Sequence, residues 1–281
     1  MKPDKIKSYG KINLALNVTG KNSFLHKIES IISFVSLHDI IFINKIESNK
    51  HKILFSGKFS NNIGKNNTVN KLLEILEKKK LLNDQKFRIK IYKRIPIKAG
   101  LGGGSMNAAN ILKYFIKKKV IKISLKEISQ ICKLIGSDVI LGIKSTSCIL
   151  TSNNKIKHYN NCNKFYTLIV KPNFGCSTKF IYSQVRKFNK SQLSQPNKKM
   201  FDLKYLENMK NFLEPIVLRN YPKLKKIKLY LDTLLNPAFV RMTGSGSAFV
   251  AYYHSKQKCK NAKMMFSKKY KNYWCIASKT I

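Results

Sequence analysis

The chain has 281 residues, of which 43% are hydrophobic, and 55 Lys and Arg residues against 13 Asp and Glu give it a formal net charge of +42. This length and apolar content suffice for one large core or two modest ones, and the length favours two domains. The sequence contains no run of about 18 apolar residues, and its first nine residues have no apolar signal-peptide core. We therefore expect a cytoplasmic protein without a membrane span.

The positive charge is spread along the whole chain. A charge of this size usually indicates a polyanionic partner such as nucleic acid. Here, however, lysine occurs in nearly every segment together with many Asn and Ile residues, and not as one basic arm or stripe. All three residues have A/T-rich codons, so compositional bias explains the charge, and we expect neither nucleic acid nor a membrane as partner.

The cysteines predict no metal site. They are widely spaced, without a C-x-x-C pair or a histidine at zinc-site spacing, so we expect reduced thiols in a reducing compartment. These residues are Cys132, Cys148, Cys162, Cys176, Cys259 and Cys275.

The N-terminal half alternates strands with amphipathic helices. Apolar residues at every second position predict a half-buried strand over residues 11–18. Further strands are predicted at residues 40–44, 53–56 and 87–93. Helical spacing predicts one helix behind an Asn67-Thr68 cap and another that begins near Ser105. A third begins with a Ser124–Glu127 capping box and ends at Gly136, which leaves Asp138 just beyond a helix end.

The C-terminal half mixes strands and helices with short links. A polar stretch at residues 151–164 predicts a boundary between a domain at 1–155 and a domain at 156–281. The predicted strands are 166–171, 239–242, 248–253 and 273–278, and the predicted helices include 203–213 and 222–235. This order predicts an α+β fold.

A glycine-rich loop lies between the fourth strand and the second helix. Residues 96–110 read PIKAGLGGGSMNAAN. Such a loop lets backbone N–H groups approach an anion, and the following helix adds its positive end, so phosphate binding is the natural use. Spacing alone also allows a purely structural turn. The absence of Gly-Lys-Ser/Thr, H-R-D, D-F-G and a suitably placed acidic residue argues against Walker A, protein-kinase and dinucleotide loops.

Four motifs resemble the GHMP kinases. The segment P-x-x-x-G-L-G-G-G-S-x-N-A-A is similar to their ATP-binding motif and, with its third loop glycine and Asn107, to their diphosphocytidyl-methylerythritol kinase branch. The segment K-I-N-L at residue 11, with His26 and Asp39 downstream, resembles the substrate-side motif of that branch. M-T-G-S-G-S at residue 242 resembles the second glycine loop, and G-S-D-V at residue 136 resembles the catalytic segment.

The resemblance extends from Lys11 to Tyr253 and implies both fold and activity. The implied fold is the two-domain α+β GHMP kinase fold. Its N-terminal domain resembles the second domain of ribosomal protein S5, and its C-terminal domain is a ferredoxin-like α/β sandwich. The implied activity is ATP-dependent phosphoryl transfer to the alcohol of a cytidine diphosphate-linked methylerythritol, by a monomer or homodimer.

The resemblance also implies roles for the catalytic and nucleotide-binding residues. Asp138 would be the base, and Lys11 would face it, keep it ionised and polarise the substrate hydroxyl. The first loop would wrap the ATP phosphates, the second would pack beside them, Lys93 and Asn67 would lie near the adenine, and Mg²⁺ would bridge the β- and γ-phosphates. The implied nucleotide-binding residues are Pro96, Gly100, Leu101, Gly102, Gly103, Gly104, Ser105, Asn107, Lys93, Asn67, Gly244, Ser245 and Gly246.

The sequence departs from the family pattern in two regions. Met106 stands where the family usually has a second serine that can approach the metal, so we assign no protein ligand to Mg²⁺.

On the substrate side, Asn13 belongs to the first motif. His26 resembles the residue that hydrogen-bonds the cytosine, and Tyr182 resembles the aromatic residue that stacks on it. The usual D-G-Y-H is missing from the shortened segment of residues 22–26, and Leu25 replaces the second aromatic ring, which lowers the expected stacking by about 1 kcal/mol.

Three alternatives stay open from the sequence. Another GHMP kinase, acting on homoserine, mevalonate or a sugar, would share the ATP loop, although the extra glycine, Asn107 and His26 favour the cytidyl substrate. An RNA-binding protein would suit the charge and would bind RNA with steep salt dependence. A catalytically inactive relative is the third alternative, and the presence of Lys11 and Asp138 counts against it.

The assignment of Asp138 predicts the effect of one substitution. Asp138→Asn keeps the size of the side chain but removes the proton acceptor, so turnover is expected to fall by orders of magnitude with little change in ATP affinity. Steady-state kinetics and nucleotide titration measure the two effects separately. Near-normal turnover would remove Asp138 from the mechanism.

Overall fold

The computed structural model describes residues 2–23, 25–61 and 63–281. Its contacts divide the chain into two compact units that are interleaved in sequence. Unit 1 comprises the chain up to Gly10 together with Leu37–Ile97 and Gly102–Ser145, and unit 2 comprises Lys11–Ser36, Lys98–Leu101 and Thr146–Ile281. Because these units group residues by contact, the domain boundary near residue 155 stays a prediction.

Two long strands each contribute to both units. They are β1 (Asp4–Lys21) and β2 (His26–Ile46), which pair with each other. Both are longer than predicted, because the apolar periodicity marks only their regular parts. Residues 10–18 of β1 are all buried, so the prediction of a half-buried strand is wrong: both faces are covered, and the polar residues among them need internal partners.

Unit 1 packs helices against a three-stranded part of the first sheet. Residues 40–46 of β2 pair antiparallel with β4 (Lys86–Tyr92), and β4 pairs parallel with β3 (Lys52–Ser56). The helices are α1 (Thr68–Lys78), α2 (Gly103–Lys117), α3 (Leu125–Ile135) and α4 (Val139–Lys144). One buried cluster joins the strand residues Ile43 and Ile91 to the helix residues Leu72, Leu112 and Ile131.

Helix caps explain where the helices of unit 1 begin. The Asn67 side chain accepts hydrogen bonds from the backbone N–H groups of Val69 and Asn70 and so caps α1. The predicted capping box of Ser124 and Glu127 is confirmed at the start of α3. Helix α4 was not predicted, because six residues are too few to show helical periodicity.

Unit 2 contains a four-stranded antiparallel sheet in the order β10-β7-β9-β8. These strands are β7 (Tyr166–Lys171), β8 (Phe239–Met242), β9 (Phe249–Tyr253) and β10 (Trp274–Lys279). In the same unit, residues 30–32 of β2 pair with β5 (Cys148–Leu150), which pairs with β6 (Ile156–His158). Strand β6 lies inside the polar stretch at residues 151–164, where we predicted the domain boundary.

The helices of unit 2 include several short ones that were not predicted, and they differ from the prediction over residues 203–213. They are α5 (Thr178–Ser183), α6 (Leu203–Asn208), α7 (Glu214–Asn220), α8 (Pro222–Thr233) and α9 (Lys256–Lys269), with a short 3₁₀ helix at Lys198–Phe201. The single helix predicted over residues 203–213 is wrong, because the chain after α6 bonds to β1 instead. Leu16 N–H donates to the Lys210 carbonyl at 3.1 Å, and Phe212 N–H donates to the Leu16 carbonyl at 2.8 Å.

The mixture of helices with two sheets confirms the α+β class. Across the described ranges, no helix has both the length and the apolarity needed to cross a membrane.

The contact of α2 with α4 leaves room for only a hydrogen at Gly142. A Cβ there would lie 2.6 Å from the Ala109 Cβ and 3.1 Å from the Met106 Sδ. Gly142→Ala gains up to about 1 kcal/mol of helix propensity but overpacks a tight contact, which costs about 1–3 kcal/mol. We expect a net loss of about 1 kcal/mol in the free energy of unfolding, measured with urea. Gly64→Ala, where nothing lies within 4 Å of the new methyl group, is the matched control, and an equal effect of both changes would contradict the packing argument.

Candidate active site

The turn at Gly100 lies directly against the second glycine loop in unit 2. Gly100 has φ +72°, and a Cβ there would overlap the Thr243 carbonyl oxygen. Gly244 has φ +55°, and a Cβ at that residue would meet the Gly100 Cα at 3.3 Å. Both residues therefore have left-handed backbones in a contact that excludes side chains, so only glycine fits at either position.

Side chains hold these two turns together. The Thr243 hydroxyl accepts a hydrogen bond from the Asn13 N–H at 3.1 Å and donates to the Gly100 carbonyl at 3.1 Å. The Asn211 amide donates to the carbonyls of Met242 and Gly244, each at 2.8 Å. Sequence reasoning gave no role to Thr243 or Asn211, although the glycines beside Thr243 marked its loop.

Lys11 and Asn13 lie on β1 beside the same turns. Lys11 is 4% exposed; its ammonium donates to Asn13 Oδ1 at 2.8 Å and its backbone N–H to the Leu101 carbonyl at 3.0 Å. The Asn13 amide donates to the Ser30 hydroxyl at 2.8 Å. A buried ammonium is thus held at the first glycine loop by an amide that is itself fixed. The predicted contact of Lys11 with Asp138 stays a prediction.

The first turn of α2, in unit 1, presents backbone N–H groups. Gly102 has φ +66° and precedes the helix, and the hydrogen bond from Met106 N–H to the Gly102 carbonyl, 2.9 Å long, closes the first turn. The N–H groups of residues 103–105 come before that bond, so helix geometry leaves them available to an anion. The hydroxyl of Thr68, the first residue of α1, donates to the Gly104 carbonyl at 2.7 Å and holds this turn.

A buried carboxylate fixes the approach to this turn. Asp39, on β2, has no exposed surface and pairs with the Lys93 ammonium. It also accepts hydrogen bonds from the N–H groups of Arg94 and Ile95, at 2.7 and 2.8 Å, and from the Asn107 amide at 2.9 Å. Asp39 therefore ties the end of β4 to α2. The sequence placed Asp39 in a motif without a role, and the detectable signal was an acidic residue inside an apolar strand.

The predicted adenine-side residues have clear local structures. Besides its ion pair with Asp39, the Lys93 ammonium lies 3.4 Å from the position of a Cβ on Gly103. Asn67 caps α1, whose start is joined to the α2 turn through Thr68. Contact of Lys93 or Asn67 with adenine stays a prediction. Within the described part of unit 1, the carbonyl oxygen of buried Asn107 has no hydrogen-bond partner, so it can accept one from a ligand or water.

Met106 is a core residue at the position where the family usually has a serine. Its side chain is fully buried, with the sulfur near Gly142 in the contact between α2 and α4. The thioether therefore packs in the core of unit 1. No group of three or more His, Cys, Asp or Glu side chains in the described ranges is arranged to hold a metal.

Asp138 lies immediately before α4 and is partly buried, with helical backbone angles of φ −82° and ψ −12°. Helix α3, which is followed by its cap residue Gly136, and the start of α4 at Val139 fix the position of Asp138 in a short turn. The role of Asp138 as base stays a prediction.

The predicted substrate residues His26 and Tyr182 lie together in unit 2. Their ring centroids are 5.1 Å apart, and burial and the positive charge of Lys21 lower the His26 pKa, so its imidazole is mostly neutral at pH 7. Leu25 is 67% exposed, and Phe24 lies outside the described residues. Phe188, which sequence reasoning missed, has its ring centroid 6.2 Å from that of His26.

Ser245 of the second glycine loop contacts the start of α5. Its hydroxyl and that of Thr178 lie 2.8 Å apart, and Ser245 is 7% exposed. This bond connects the loop to the helix that carries Tyr182, so one local framework supports the predicted phosphate and base contacts of unit 2.

Comparison with known proteins identifies the family. Over 277 residues, 99% of each chain, this chain is 58% identical to the 4-diphosphocytidyl-2-C-methyl-D-erythritol kinase of Pelagibacter ubique. The chain belongs to the 4-diphosphocytidyl-2-C-methyl-D-erythritol kinase family. A kinase of the same name from Clostridium beijerinckii is 31% identical over 282 residues, 95% of this chain and 97% of that one. The family model of the GHMP kinases N terminal domain matches residues 67–149.

Solved structures confirm the GHMP kinase fold of this family member. A crystal structure of 4-(cytidine 5'-diphospho)-2C-methyl-D-erythritol kinase superposes with a TM-score of 0.81, at 21% identity over 99% of this chain and 100% of that one. A homoserine kinase from Cytophaga hutchinsonii gives a TM-score of 0.67 at 15% identity, covering 99% and 95% of the two chains. A kinase transfers a phosphoryl group from ATP. Membership of this kinase family therefore shows that the chain is an ATP-using phosphotransferase, as predicted.

The buried ion pair predicts a large effect of one isosteric change. Asp39→Asn leaves the Lys93 ammonium buried without a counter-charge, and breaking such a pair costs about 3–5 kcal/mol. Urea unfolding should show this loss. Asp232→Asn is the control, because the exposed Asp232–Lys228 pair is expected to contribute less than about 1 kcal/mol. Equal effects of the two changes would contradict the central role of Asp39.

Proposed function

We propose that this chain transfers the γ-phosphoryl group of ATP to the 2-hydroxyl of 4-diphosphocytidyl-2-C-methyl-D-erythritol. The products are the 2-phosphate and ADP, and the reaction belongs to the non-mevalonate route to isopentenyl diphosphate. The observation that carries the proposal is the 58% identity to a kinase of that name over 99% of both chains. At this sequence identity over the full length, only substitutions at a few residues of the site could give this chain a different substrate.

The geometry supports ATP as the phosphoryl donor. Gly100 and Gly244 form a close backbone contact, and α2 begins at Gly103 with available N–H groups. These are the features by which a protein binds phosphate oxygens through its main chain. The proposed nucleotide contacts are those of the first loop, the second loop, Asn107, Lys93 and Asn67.

The proposed mechanism uses two charged side chains. The substrate oxygen attacks the γ-phosphorus, the bond to the β,γ-bridging oxygen breaks, ADP leaves with the electron pair, and the hydroxyl proton passes to the Asp138 carboxylate. Lys11 would polarise the hydroxyl and stabilise the charge of the transferring group. The bond from Lys11 to Asn13 supports this role, because an ammonium that is already fixed loses little freedom when the substrate binds.

Mg²⁺ fits this proposal as an ion bound mainly by the nucleotide. It would neutralise charge on the β- and γ-phosphates. The buried position of Met106 supports a site built from phosphate oxygens and water, without a dedicated protein ligand. A cytoplasmic location and a monomeric or homodimeric state remain part of the proposal.

The substrate assignment is tested by offering several alcohols to one enzyme preparation. With ATP and Mg²⁺, we expect ADP formation with 4-diphosphocytidyl-2-C-methyl-D-erythritol and at most trace rates with homoserine, mevalonate or galactose. A coupled assay measures ADP, and phosphorus NMR of the product locates the new phosphate. Higher kcat/KM with any other alcohol would overturn the assignment, and the Asp138→Asn variant is the control for contaminating kinases.

A further inference from the structure

Three ring side chains form a partly exposed group in unit 2. His26 is the first residue of β2, Tyr182 lies on α5, and Phe188 lies on the segment that follows α5. The His26 ring is 5.1 Å from Tyr182 and 6.2 Å from Phe188, with interplanar angles of 41° and 55°. Two aromatic rings therefore contact one imidazole, and none of the three is fully buried.

The chain that follows Phe188 is firmly anchored. Glu29 is a fully buried carboxylate on β2, three residues after His26. It accepts hydrogen bonds from the Ser191 hydroxyl at 2.8 Å and from the N–H groups of Gln192 and Leu193 at 2.6 and 3.2 Å. Removing a carboxylate from water is costly, and several strong hydrogen bonds offset that cost, so this anchor is a specific structural feature.

Strand β1 adds two more bonds to the same segment. Asn189 N–H donates to the Val18 carbonyl at 3.0 Å, and the Asn17 amide donates to the Lys190 carbonyl at 3.1 Å as well as to Glu29. Phe188 therefore immediately precedes a segment that is held at five consecutive residues, 189–193. Its ring is nevertheless 46% exposed. A single exposed apolar residue is ordinary, but a ring that contacts His26 from an anchored segment is well suited to bind a planar ligand.

The residue directly before His26 is not aromatic. Leu25 is aliphatic and 67% exposed, so it offers no π-face to a base. A pyrimidine base bound at His26 would then have Tyr182 as its one predicted aromatic neighbour. Phe188 reaches the same imidazole from a different part of the chain.

We propose that Phe188 is a substrate-binding residue that packs against the pyrimidine base of the substrate and adds affinity, in the role that Leu25 cannot fill. The Glu29 anchor holds the segment so that the ring is in place before the substrate binds. This inference rests on the proposed function, since it names a further contact for the cytidine diphosphate part of that substrate.

A stacking contact of Phe188 would increase the affinity for any base and not for cytosine alone. Stacking acts on the π-face that every base has, whereas hydrogen bonds read its edge. Loss of the Phe188 ring should therefore weaken cytidine diphosphate and uridine diphosphate by the same factor, about tenfold for a stacking contact of ordinary strength. The ratio of the two affinities should not change.

The test compares three variants by calorimetry and kinetics. Phe188→Leu removes the ring, Phe188→Tyr restores one, and Phe180→Leu changes another exposed phenylalanine, 41% exposed and two residues before Tyr182 on α5. Because Phe180 and Tyr182 are about 200° apart around the helix axis, Phe180 is a matched control for lost surface hydrophobicity. Titrations use cytidine diphosphate and uridine diphosphate, and assays give KM for the cytidyl alcohol and for ATP.

The expected pattern is specific. Phe188→Leu should raise the dissociation constants of both diphosphates and the KM of the alcohol about tenfold, with kcat, the KM of ATP and the thermal midpoint nearly unchanged. Phe188→Tyr should be close to wild type, as should Phe180→Leu.

Three results would overturn the inference. They are an unchanged affinity in Phe188→Leu, an equal loss in Phe180→Leu, or a loss that Phe188→Tyr does not restore. If the wild type does not phosphorylate the cytidyl alcohol, the proposed function fails by itself. Normal turnover by both the wild type and Phe188→Leu, at an unchanged KM, overturns only the role of Phe188.

Discussion

The contact between Gly100 and the loop at Thr243 and Gly244 is the constraint on which the site in unit 2 depends. There is no space for a side chain on either glycine, because the backbones lie at van der Waals distance. This contact lets the Thr243 hydroxyl bond both Gly100 and Asn13, and Asn13 in turn holds the Lys11 ammonium. A tight glycine pair thus determines where a cationic side chain lies, through three consecutive hydrogen-bonded groups.

Each unit contains a buried carboxylate that organises an irregular segment. Only 13 acidic residues occur in the chain, yet Asp39 and Glu29 have no exposed surface. Asp39 binds main-chain N–H groups at the end of β4, and Glu29 binds them in the segment after Phe188. A carboxylate that accepts several N–H bonds fixes a loop without needing regular secondary structure, which is why both lie where irregular chain approaches predicted ligand-binding residues.

The structure shows which residues surround the two regions that depart from the family pattern. Met106 fills the contact between α2 and α4, where a serine would leave a gap beside Gly142. Where Leu25 replaces an aromatic residue, the structure places the Phe188 ring beside His26, from about 160 residues away in sequence.

Local patterns in the sequence determined the α+β class, the glycine loops, the Asn67 cap and the Ser124–Glu127 capping box, because each depends on residues within a few positions of one another. Tertiary structure alone decided the burial of both faces of β1, the end of α6 at Asn208, the four-partner role of Asp39 and the position of Phe188 beside His26. These features arise from contacts between segments distant in the chain, whose energies override local propensity and leave no periodic signal in the sequence.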